Sequence, residues 1–80
     1  MRSGHVRLKR GESVGWHSTG QHEEALVFLQ GRGRAQIEGG TNIPIHARIL
    51  AYIPPNTKHN VTNADDELPE YVWIVAPASP

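Results

Sequence analysis

An all-β fold, a small antiparallel barrel or jelly-roll sandwich, is the class this sequence predicts. Three observations carry the prediction. Apolar residues come in short runs, the runs are closed by Gly, Pro and Asn, and one segment alternates polar and apolar with a period of two. Several short strands at regular spacing favour closure into a barrel or sandwich, because closure removes exposed sheet edges.

The elements follow in chain order. His5 to Lys9 and Ser13 to His17 are weak strand candidates. Ala25-Leu26-Val27-Phe28-Leu29 is the clearest strand: apolar on both faces, it is expected between two layers, and Gly31-Arg32-Gly33 closes it. Arg34-Ala35-Gln36-Ile37-Glu38 alternates as a half-buried strand does, and Gly39-Gly40-Thr41-Asn42 supplies the positive-φ residues of the next turn. Ile49 to Ile53 reads as a strand stopped by Pro54-Pro55, Asn60-Val61-Thr62 as ordinary strand residues, and Tyr71 to Val75 as the last strand, after an acidic loop from Ala64 to Glu70. Seven or eight strands fill residues 1–80 as one domain, with no room for a linker.

Composition narrows the function. A domain of 80 residues buries only roughly 60% of the surface its unfolded chain exposes, and the absence of cysteine leaves metal binding or oligomerisation as supports. A homodimer is therefore expected, covering apolar strand faces. Eight Lys and Arg balance eight Asp and Glu, so no basic field invites nucleic acid or an anionic membrane. No apolar run reaches the length of a membrane helix, and the first ten residues lack a signal-peptide core, so a cytoplasmic location is expected. Asp65-Asp66 reads as a solvated turn, and Arg32 and Arg34 as arginines flanking a hairpin.

His17, Glu24 and His59 are the candidate metal ligands. Two imidazoles and one carboxylate leave open positions on a divalent transition metal. His22 lies two residues before Glu24: if the strand is already extended there it shares the face of Glu24 and becomes a fourth ligand, and if not it is a loop residue. Leu26 and Phe28 share the inward phase of Glu24 and are candidate ligand-binding residues, with Tyr52, Trp16 and Trp73 as further candidate walls. His5, in a frayed amino terminus, and His46, near a turn at Pro44, read as surface residues.

Two spacings carry a family resemblance. Gly11, five residues, His17, and then Glu24, six residues, Gly31 match the first motif of the cupin superfamily, while Pro54, His59 and Asn63 fall in register on its second motif. The sixteen residues from Arg32 to Ala47 suit the segment between the motifs. Where that family has a second histidine this chain has Thr19, and where the second motif has glycines it has Arg48 and Asn56. The resemblance implies a cupin barrel holding iron, manganese, zinc, nickel or copper at one end, with a small-molecule ligand or substrate, and dimers are common in the superfamily. It leaves two functions open: a metal-dependent enzyme of dioxygenase, isomerase or lyase type, or a non-catalytic module that binds or senses a small ligand.

Overall fold

Glycine at the turns and alternating apolar residues between them set where the strands run. A computed structural model describes residues 1–63 and 68–78. It holds seven strands: β1 Arg2–Arg7, β2 His22–Gln30, β3 Arg32–Ile37, β4 Thr41–His46, β5 Leu50–Ile53, β6 His59–Thr62 and β7 Glu70–Pro77. All pairings are antiparallel. A four-stranded sheet has the order β1-β7-β2-β5, and a three-stranded sheet the order β4-β3-β6. No helix occurs among the described residues, so none is long and apolar enough to cross a membrane.

The two sheets share one core. Leu26 and Phe28 from β2, Ala51 and Ile53 from β5 and Tyr71 from β7 meet Ala35, Ile45 and Val61 from the three-stranded sheet. Phe28 and Tyr71 stack with ring centroids 4.9 Å apart. Gly31, which turns β2 into β3 at φ 81°, has no alternative: a Cβ there would lie 2.0 Å from the Leu68 carbonyl oxygen.

Three details depart from the sequence expectations. Pro44 lies inside strand β4 and not at a turn; β4 is a sheet edge, where a residue without an N–H is tolerated. Ser13 to His17 is not a continuous strand. Its strand-type pairing with β6 is confined to isolated bridges at Ser13–Thr62 and His17–His59, because Gly15 at φ 101° breaks the extended run. His5 is not frayed, since it sits within β1 and bonds Glu70. The Asp65-Asp66 turn lies outside the described residues. Arg48 and Asn56 adopt φ 73° and 56°, the left-handed conformation that the glycines of the second motif would take, so the chain keeps the turn geometry with other residues.

The outer face of the four-stranded sheet is apolar. Its cross-strand rows run Ile74–Ala25–Tyr52 and Val72–Val27–Leu50, with Leu29 beside them. Leu50 is 64% exposed and Tyr52 56%. At one end of this face Glu70 fastens β1 and β2 to β7: it accepts hydrogen bonds from His5 (2.5 Å), Gln30 and Arg7 (3.2 Å).

These bonds, that from His5 foremost and then those from Gln30 and Arg7, hold the Glu70 carboxyl at about 2, well below the ordinary 4.5. A carboxylate with a depressed folded-state pKa contributes stability above its unfolded value and loses it as pH falls through the folded one. Wild type is therefore expected to be more stable than Glu70→Gln at pH 6, with the gap in unfolding midpoint closing between pH 5 and 2. Thermal melts across that range check this, and a gap independent of pH would contradict it.

Candidate metal centre

Two histidines face each other across a backbone pair. His17 N–H donates to the His59 carbonyl (3.0 Å) and His59 N–H to the His17 carbonyl (2.9 Å), so the segment before β2 is clamped to the start of β6. The imidazoles consequently lie close, with centroids 4.4 Å apart. Each ring is oriented from behind. His17 Nδ1 donates to the Gly15 carbonyl and His59 Nδ1 to the Thr57 carbonyl, both at 2.9 Å. With Nδ1 carrying the proton, each Nε2 is the atom left for the cavity, the tautomer that metal-bound histidines use.

Glu24 arrives from the opposite sheet. Inward-facing on β2 and 5% exposed, it places Oε1 2.7 Å from His59 Nε2. Burial pulls the His59 imidazole down, but the hydrogen bond to Glu24, with the Thr57 carbonyl and the carboxylate charge, outweighs it and leaves the pKa raised. The proton between His59 and Glu24 thus links two metal-type donors, the arrangement in which a divalent cation substitutes for a proton. One ligand atom from each of His17, Glu24 and His59 lies within 4.8 Å of the others, the cluster of this kind among the described residues. The donor set fits a divalent transition metal: two imidazole nitrogens with fixed tautomers and one carboxylate.

A cavity of about 220 Å³ opens beside the trio. Its walls are mostly apolar, from Val6, Val14, Leu26, Val61, Trp73 and Val75, and its polar groups besides the trio are Arg2, Thr19 and Tyr71. Burial, and secondarily the charge of Glu24, raise the Tyr71 phenol well above its ordinary value, so it stays protonated and can donate a hydrogen bond.

The structure sorts the predicted site residues. His17, Glu24 and His59 come together. His22 begins β2 in the phase of Glu24, yet its ring is not drawn into the cluster: Nδ1 faces the Thr19 carbonyl at 3.2 Å, which also accepts the His22 N–H. The turn between Thr19 and His22 holds the ring. Thr19 itself spends its hydroxyl on the His22 carbonyl (2.9 Å). Leu26 and Trp73 line the cavity, whereas Phe28 is packed in the core on Tyr71, Trp16 is 53% exposed, and Tyr52 stands on the outer face, its phenol raised by a hydrogen bond to Glu23.

Sequence reasoning missed Asn60. Buried at 4%, it accepts the Gly15 N–H through Oδ1 (2.8 Å) and donates to Gln36 Oε1 (2.9 Å). Gly15 is the residue whose carbonyl orients His17, so Asn60 holds the support of a ligand. Asn63, the last residue of the second motif, fixes the same segment by donating to the Leu8 carbonyl (3.2 Å).

A model of the cupin domain family matches residues 4–75, and the chain belongs to that family. No curated protein matches. Among solved structures, a cupin protein from Bacteroides fragilis is similar at 28% identity and a TM-score of 0.88, over 96% of this chain and 65% of that one. A Cupin 2 conserved barrel domain protein from Salinispora arenicola shares 26% identity at a TM-score of 0.85, over 95% and 62%. A predicted oxalate decarboxylase from Thermotoga maritima shares 22% identity at 0.87, over 95% and 65%, a likeness of fold. This chain thus spans slightly less than two thirds of each of these structures.

Replacing Asn60 by Ala leaves the Gly15 N–H without its acceptor and is expected to cost about 1–3 kcal/mol. Asn60→Asp, which keeps an acceptor for Gly15 and loses only the donor to Gln36, is expected to cost less. Urea unfolding of the three proteins measures both, and equal stability of all three would refute the role.

Proposed function

We propose that this cupin binds a divalent transition metal through His17 Nε2, Glu24 and His59 Nε2, and that the metal's open positions hold a small molecule in the adjoining cavity. The observation that carries the reading is the convergence of three ligand atoms within 4.8 Å, two of them on rings already fixed by carbonyls. Bound there, a metal supplies Lewis acidity to an oxygen of the ligand. The chain's own residues do the rest: Leu26, Val61, Trp73 and Val75 exclude water, and the Tyr71 phenol donates a hydrogen bond to whatever oxygen faces it.

Binding without turnover is the reading favoured here. Among the described lining residues the side chains of base type are His17, Glu24 and His59, and in this reading all three hold the metal. No separate general base stands by. Turnover is the second reading, in which a metal held by the trio would supply Lewis acidity and the neutral Tyr71 phenol a hydrogen bond to the reacting oxygen.

The metal reading predicts that zinc at ~100 times its dissociation constant stabilises the folded chain by about 2.7 kcal/mol. Ala at His17, Glu24 or His59 should abolish that gain, and His22→Ala should retain it. Calorimetric melts with and without zinc decide this; a gain that survives loss of His59 would refute the site.

We also propose that two copies associate through the outer face of the four-stranded sheet, where Leu29, Leu50 and Tyr52 are exposed. Sedimentation at micromolar concentration should show a dimer that Leu50→Glu dissociates. A wild-type monomer would overturn this.

A further inference from the structure

The cavity has one charged group that the metal reading does not use. Arg2 lines it, on the inward face of β1. Arg2 pairs with Val75 and Val75 with Glu24, so all three belong to one row crossing β1, β7 and β2. Two strand spacings separate Arg2 from Glu24, roughly 10 Å between their backbones. A molecule in the cavity can therefore meet the ligand trio at one end and the guanidinium at the other. Among the described residues no hydrogen bond or ion pair engages Arg2, whereas Glu24, the one carboxylate of the lining, is committed to His59.

The wall between these ends is apolar and partly aromatic. Gly4, the next inward residue of β1, carries no side chain because the Trp73 indole fills its place: a Cβ on Gly4 would lie 2.5 Å from the ring. Trp73 thereby lines the same cavity as Arg2, and Val14 and Val75 complete the surface. A sugar or nucleotide would need polar partners along its whole length, whereas the lining of Val6, Val14, Leu26, Val61, Trp73 and Val75 is apolar between the trio and Arg2. One unpaired cation over an apolar wall suits a ligand with one anionic end and an apolar body, and guanidinium matches carboxylate geometry through paired N–H donors. The 220 Å³ volume corresponds to about seven waters.

We propose that Arg2 is the anion-recognising residue of this cavity and that the ligand is a small, mostly apolar carboxylic acid bound as its carboxylate. The proposal rests on the reading of the cavity as a ligand site, and it does not depend on the metal.

Titration calorimetry with benzoate and hexanoate against benzamide and hexanamide tests it, on the chelator-treated and on the zinc-loaded protein. A carboxylate held by Arg2 should bind about tenfold or more tighter than its amide in both forms, the range of one charge-assisted hydrogen bond. Arg2→Gln should erase that preference by lowering acid affinity to that of the amide, with zinc stoichiometry as in wild type, and Arg2→Lys should keep part of it. Equal binding of acid and amide by wild type, no binding of either, or a preference that survives in Arg2→Gln would overturn the role of Arg2. Inorganic phosphate binding as tightly as benzoate would overturn the ligand class. Because the metal-free arm stands alone, failure of zinc to bind defeats the metal reading without touching this one, and zinc bound with acid and amide equal does the converse.

Discussion

The reciprocal backbone pair between His17 and His59 is the constraint on which the rest depends. Its two N–H to carbonyl bonds, 3.0 and 2.9 Å long, join a segment that is not itself a regular strand to the first residue of β6. Without it the end of this stretch at His17 would lose its backbone bonds to β6, leaving those that Gly11, Glu12, Val14 and Gly15 make further back. With it, two imidazoles share one end of the barrel, and Glu24 reaches them from the other sheet. The cluster is thus a product of sheet closure, and each of its three side chains comes from a different piece of backbone.

Burial makes that closure demanding. A histidine 1% exposed and a glutamate 5% exposed face each other in an apolar setting, where an unpaired charge would be costly. Their mutual hydrogen bond meets the cost in one protonation state, and a divalent cation would meet it in another. The same logic accounts for the carbonyls of Gly15 and Thr57 behind the rings and for the Asn60 amide behind Gly15. Each fixes a polar atom that could not otherwise be left in the interior.

Much of this was legible in the sequence, for reasons that particular residues illustrate. Ala25 to Leu29 and Tyr71 to Val75 announce themselves because they are apolar at every position, and both fall inside observed strands; the second layer expected over them is not found among the described residues, where Ala25, Val27 and Leu29 stand on the outer face. Strand β4 did not, since Thr41, Asn42 and Pro44 are turn residues by type, and only its edge position makes them acceptable in a strand. The ligand spacing of His17, Glu24 and His59 was readable because it is a matter of counting. The fate of His22 was not: one extra turn residue decides whether a ring faces the site or its own backbone. Asn60 was invisible because its importance lies in an atom 45 positions away, the Gly15 N–H. Arg2 escaped notice for the same reason, because only the register of β1 on β7 shows that it faces inward.

Whether the trio is a metal centre is the claim on which the functional account turns, and the first coordination shell of a bound ion tests it directly. X-ray absorption at the zinc edge of the loaded protein should show two imidazole nitrogens at about 2.0–2.1 Å and oxygen from one carboxylate and solvent at about 2.0–2.2 Å. The His59→Ala protein should show one imidazole fewer. A spectrum with no imidazole scattering, or one unchanged in His59→Ala, would contradict the account.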